Sequence, residues 1–82
     1  MDSKVLTRIP SVGKSIANDL VNIGIKSIDG LIGKDPEELY KLSNKKAGQI
    51  QDRCLLYVFR CAIYYAEGGR DSQKLKWWNW KD

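Results

Sequence analysis

The stretch from residue 48 to residue 66 is apolar almost all the way round, between a polar break at Ser43-Asn44-Lys45-Lys46 and a glycine pair at Gly68-Gly69. Ile50, Cys54, Tyr57, Val58, Cys61, Ala62 and Tyr65 recur as one helical stripe, and Leu55, Leu56, Phe59 and Ile63 carry the apolar surface around the cylinder. A helix without a polar face cannot stand in water, so the pattern predicts a central helix covered by several neighbours. In a chain of 82 residues that means one core, burying about 60–65% of the unfolded surface, with no room for a second domain across a deep cleft. The expected organisation is a single domain over 1–82.

The covering elements are expected on either side. Val5, Leu6 and Ile9 suit a first helix over 2–8, ended by Pro10. Pro10-Ser11-Val12-Gly13 makes a sharp turn, and a second helix from about Lys14 to Ile23 would turn Ile16, Ala17 and Leu20 inward before Gly24 terminates it. Ser27 suits the N-cap of a brief helix through Leu31 and Ile32, closed by Gly33. Asp35-Pro36-Glu37-Glu38 is the strongest local signal: Asp at the N-cap, Pro at the first helical position and Glu at the third. The helix it starts would bury Leu39, Tyr40 and Leu42. Asp71 would cap a last short helix from Gln73 to Trp80. The expectation is an all-α, single-domain compact helical bundle of about five to six helices.

The charge balance, 14 basic against 10 acidic residues for a net +4, leans towards polyanionic partners. There is no histidine, so a base near neutral pH would need a strongly shifted carboxylate or lysine, and no paired acidic motif offers one. The chain reads as a protein without enzymatic activity. It shows no basic segment followed by an apolar run and no window of about 18 apolar residues, so the expected address is the cytoplasm, without membrane contact. Cys54 and Cys61 would lie about 10 Å apart along one helix, beyond disulfide reach, and read as small core residues.

The chemistry-bearing feature is the turn before the second helix. A helix start leaves its first amides unpaired and carries partial positive charge, so Gly13, Lys14, Ser15 and Ile16 can present several donors to one anion. A nucleotide-binding phosphate loop would need glycine at position 8, which is Arg8. Ile9-Pro10-Ser11-Val12-Gly13, with Ala17, Leu20 and then Gly24-Ile25, resembles instead the helix-hairpin-helix motif of DNA repair and replication proteins. That resemblance implies a SAM-like unit over 2–33, supported by 34–82 and its Trp-rich end. It also implies contact with DNA phosphates through amides near Ser11, Gly13, Ser15 and Ile16, with Lys14 and Lys26 adding charge. The main-chain carbonyls of Thr7, Ile9 and Val12 would ring a monovalent cation, K+ or Na+. Ser11 stands where the motif has glycine, and its hydroxyl is expected to cap the helix or meet the phosphate. The turn is present once, since Ser43 to Gly48 offers no second copy.

Beyond the motif, the chain resembles a family of small bacterial proteins known as the pathogenicity-locus family. The resemblance lies in Ile-Pro-Ser-Val-Gly-Lys-Ser-Ile-Ala (9–17), Asp-Pro-Glu-Glu-Leu-Tyr (35–40), Asp-Arg-Cys-Leu-Leu-Tyr-Val-Phe-Arg-Cys-Ala (52–62) and Lys-Trp-Trp-Asn-Trp-Lys-Asp (76–82). It carries no mechanism with it.

Two further surfaces stand out. Arg53, Tyr57, Arg60 and Tyr64 fall within about 40° of one another on the long helix, suited either to stacking bases or to pairing with neighbouring acids while their stems cover core. Trp77, Trp78 and Trp80 lie among Lys74, Lys76 and Lys81, as a stacking platform or as a lid on the core. The functional expectation is non-sequence-specific DNA backbone binding, accessory to repair or processing, with dimerisation or a protein partner supplying affinity. The rival is a protein-interaction module working through Arg53, Arg60, Tyr64, Trp78 and Trp80.

Overall fold

The computed structural model describes residues 5–81. Three α-helices, α1 (Lys14–Asn22), α2 (Pro36–Ala47) and α3 (Cys54–Ala66), are joined by irregular segments that include single 3-10 turns at Asp29–Leu31 and Trp77–Trp80. Among the described residues there is no strand, and the fold is all-α and compact, with a Cα radius of gyration of 11.4 Å.

Among the described residues the expected five to six helices are corrected to three, with only Val5 and Leu6 helical ahead of them. Residues 2–4 of the predicted first helix lie outside the described residues, and from Val5 the chain closes through i→i+3 bonds, Arg8 N–H to Val5 O at 3.2 Å and Ile9 N–H to Leu6 O at 3.1 Å. The predicted helices over 27–32 and 73–80 reduce to the two 3-10 turns. Segments this short form too few i→i+4 bonds to repay nucleation, and the tighter turn satisfies their amides instead. The same finding overturns a SAM-like helix-hairpin-helix unit over 2–33. The described part of that stretch contributes α1, one 3-10 turn and two helical residues at Val5 and Leu6.

Local chemistry sets the helix ends. Asp35 Oδ1 accepts the Glu37 amide at 3.0 Å with Pro36 at the first helical position, and Gly48, at φ 72°, ends α2 in the left-handed conformation. Gly24, at φ 95°, closes α1 while the Ile25 amide reaches back to Leu20 O at 2.9 Å.

Helix α3 begins at Cys54, several residues later than the apolar pattern predicts. The intervening loop is held by α2: Asn44 Oδ1 accepts the Gln51 amide at 2.9 Å, and the Tyr40 hydroxyl donates to the Gln51 carbonyl. Asp52 Oδ1 then takes the Cys54 amide at 2.9 Å and starts the helix. Ile50, expected on the inner stripe, is 87% exposed in consequence. Leu42, also expected inside, faces outward, and buried Ser43 stands in its place with its Oγ accepting from Gln51 Nε2 at 2.8 Å.

Phe59, Leu56 and Cys61 of α3 are fully buried, together with Leu6, Ile9, Leu20 and Leu31 from the first half of the chain. Helix α3 is packed against α2, the Asp29–Leu31 turn and the Trp77–Trp80 turn, while α1 packs on α2. No helix among the described residues is long and apolar enough to cross a membrane.

After α3 the chain reverses at Gly68-Gly69 and returns as a C-terminal strap, residues 70–81. A Cβ at Gly69 would stand 2.2 Å from Tyr64 Cζ, and the Tyr64 hydroxyl accepts the Asp71 amide at 3.1 Å. Gly69→Ala is therefore expected to displace the Tyr64 ring and lower stability by about 1–3 kcal/mol, read as the midpoint of urea unfolding. An unchanged midpoint would show that the ring does not lie over Gly69.

Candidate nucleic-acid interface

The turn before α1 is fastened from beneath. Ile9 and Val12 are buried, and the Val12 amide donates to the Ile9 carbonyl at 3.1 Å. Above these anchors Gly13, Lys14 and Ser15 are exposed. Gly13 is the N-cap residue, its carbonyl accepting the Ala17 amide at 2.9 Å, and no side chain caps this end. The Lys14, Ser15 and Ile16 amides thus have no partner among the described residues, at the positive end of the helix. At the start of α2, by contrast, Asp35 fills that place with its own carboxylate.

Ser11 adopts φ 75°, in the left-handed region that glycine occupies freely. For a non-glycine residue this costs of order 1–3 kcal/mol and persists only where the surroundings enforce it. The hydroxyl neither caps α1 nor turns to the exposed side. It donates to the Leu75 carbonyl at 3.0 Å, 64 residues along the chain. The Cys61 thiol donates to the same oxygen with Sγ at 3.3 Å, and burial pushes that thiol's pKa up, which keeps its proton in place.

The charges around the turn are mixed. Lys14 is exposed at the helix start, whereas Lys26 follows the opposite end of α1. Asp19 lies one turn beyond Ser15, half-buried, and loss of solvent raises its carboxyl above the ordinary range. It lines a cavity of about 340 Å³ with Ser11, Ile16, Asp52, Leu55 and Trp77. The Cys54 amide holds Asp52 below the usual carboxylate range. Of the carbonyls expected to ring a cation, that of Ile9 accepts the Val12 amide. Among the described residues no group of three or more Cys, Asp or Glu is placed to hold a metal ion.

The arginine, tyrosine and tryptophan residues meet largely one another. Arg60 donates to the Trp80 carbonyl at 2.7 Å and lies 3.6 Å from Glu37. The Tyr64 and Trp80 rings meet at a tilt of 49° with centroids 5.6 Å apart, and Trp80 Nε1 donates to the Lys74 carbonyl at 2.6 Å. Arg53 lies 6.0 Å from the Tyr57 ring centroid. Trp77 packs on the core and meets Trp78 edge-on at 5.8 Å, leaving Trp78 half exposed. Arg60, Tyr64 and Trp80 are thus brought together where the strap docks, and Trp78 points away from the core.

Sequence reasoning missed the Leu75 carbonyl and Asp19. Asp19 is four residues from Ser15, a spacing that places it on the face of the helix start. Nothing local marks Leu75.

The family model described as pathogenicity locus, Cdd1, matches residues 1–82, and the chain belongs to that family. It is 37% identical over 79 residues to a protein of Streptomyces lavendulae named mitomycin resistance protein McrB, a match spanning 96% of this chain and 72% of that one. No solved structure matches the chain.

The raised Asp19 pKa fixes a sign. The folded state disfavours the charged form, so the penalty is present above the folded pKa and disappears as pH falls below the unfolded value. Asp19→Asn is expected to raise Tm at neutral pH, with the gain shrinking through the carboxylate range. Melting curves at a series of pH values check this, and a gain that grows towards acid would contradict it.

Proposed function

We propose that the turn from Ser11 to Ile16 binds the phosphate backbone of DNA without reading its sequence, as an accessory to DNA repair or processing. The observation that carries this reading is the uncapped start of α1, with its unpartnered amides beside exposed Lys14, on a chain of net charge +4. Such an end accepts a phosphate oxygen through main-chain donors alone, which are blind to base identity. Lys14 adds charge at the same point, and Lys26 meets the backbone from the other end of the helix. A single turn touches few phosphates, so affinity for one copy falls in the non-specific range, about 10⁻⁴ to 10⁻⁶ M. A monovalent cation on the carbonyls of Thr7, Ile9 and Val12 belongs to the same reading. The Ile9 carbonyl keeps one lone pair for it after accepting the Val12 amide.

A second reading is favoured by one observation, the half-exposed Trp78 at the strap. There the working surface recognises a protein, or a second copy of this chain, and the turn serves only the fold.

Anisotropy titrations with duplex and single-stranded DNA across ionic strength separate the two. Gly13→Asp is the sharpest variant, because an N-cap carboxylate takes the free amides for itself and maintains the helix while repelling phosphate. It is expected to abolish binding without lowering Tm. Lys14→Glu is expected to weaken binding on all sequences alike, with the logarithmic salt slope smaller by about 1. Binding indifferent to both variants, or lost only in Trp78→Ala, would overturn the phosphate reading in favour of the second.

A further inference from the structure

The phosphate-binding turn and the end of the chain meet at one atom, the carbonyl oxygen of Leu75. It accepts the Ser11 hydroxyl at 3.0 Å and the Cys61 thiol with Sγ at 3.3 Å. A carbonyl has two lone pairs and can take both donors, the single thiol proton being nearer to Leu75 than to the Lys74 carbonyl at 3.6 Å. One donor comes from the turn, the other from the buried face of α3, and the acceptor belongs to the strap. Ser11 is at φ 75°, a conformation in which it would not rest without being held.

The strap has its own anchors. Trp80 Nε1 donates to the Lys74 carbonyl at 2.6 Å, Asn79 Nδ2 to the Gln73 carbonyl at 2.7 Å, and Arg60 to the Trp80 carbonyl at 2.7 Å. The Leu75 amide donates to the Asp71 carbonyl at 3.0 Å, and Trp77 packs on the core. The peptide unit that receives Ser11 is therefore fixed from both sides.

We propose that Ser11 is a positioning residue for the phosphate-binding turn: through the Leu75 carbonyl, the C-terminal strap holds Ser11 in the left-handed conformation and so sets where the amides of α1 point. The inference rests on the phosphate reading for its functional consequence, but the coupling of strap to turn is a property of the protein alone. Glycine at this position would adopt the same φ without help and would leave the turn untied. The hydroxyl thus exchanges conformational ease for a link to the other end of the chain, and the Trp-rich segment acts on the turn without touching DNA.

The test uses the full chain and two readouts. Hydrogen exchange at the Val12 amide, whose bond to the Ile9 carbonyl closes the turn, reports the turn without DNA. Ser11→Ala and Trp80→Ala are each expected to speed exchange at Val12 by about tenfold, while amides of α2 from Leu39 to Ser43 keep their rates. Ser11→Gly removes the strain as well as the tether, so it keeps Tm yet frees Val12 in the same way. In titrations with duplex DNA, Ser11→Gly is expected to bind about three- to tenfold more weakly with an unchanged salt slope, because the number of phosphates met is the same. Exchange at Val12 that rises no more than exchange in α2 in either Ser11→Ala or Trp80→Ala would overturn the coupling. Wild-type affinity in Ser11→Gly would overturn the positioning role. Failure of the unaltered protein to bind DNA would instead refute the phosphate reading, and exchange at Val12 would still decide the coupling.

Discussion

Helix α3 is apolar around most of its surface, interrupted only by the half-buried face of Tyr57, Arg60 and Tyr64, and its cover comes from different parts of the chain. Leu39 and Tyr40 of α2, Leu31 of the 3-10 turn, Leu6, Ile9 and Leu20 from the first quarter, and Trp77 from the strap share one core with it. A post buried around most of its circumference cannot be covered by one partner helix, and a chain this short has few to spare. Irregular segments supply the remaining cover, because they need only deliver an apolar side chain and satisfy their own amides. The turn before α1 is positioned by the same demand: burial of Ile9 and Val12 beneath it fixes the exposed amides above.

The parts legible in the sequence are those decided within a few residues. Asp35-Pro36 marks the start of α2, and Gly24 the end of α1, through capping chemistry that acts over one turn. The start of α3 was hidden because its determinants lie on another helix. Asn44 and Tyr40 take the Gln51 backbone out of the helix that the apolar pattern would extend to residue 48. The expectation of five to six helices fails for a related reason: periodicity in a run of six residues does not reveal whether the run is long enough to nucleate. At the candidate interface, the free amides of α1 were readable from the Pro10–Gly13 turn, but the partner of Ser11 was not. A hydroxyl whose acceptor is 64 residues away looks, in sequence, like a hydroxyl meant for its nearest amide.

A site made of main-chain amides has no side chain whose loss would erase it, so its strength is adjusted through backbone geometry and field. Geometry here is governed by Ser11, under strain and tethered, and by Gly13, whose missing side chain leaves the helix start uncapped. The field is the resultant of the α1 dipole and Lys14, which favour an anion, and Asp19, whose partly desolvated carboxylate opposes one on the flank of the same helix. Were the turn to meet only a few phosphates, as proposed, each of these terms would be a large share of the whole. On the proposed reading, the positive charge of the chain would draw a polyanion near, and the docked strap and the half-buried Asp19 would set how well the turn receives it.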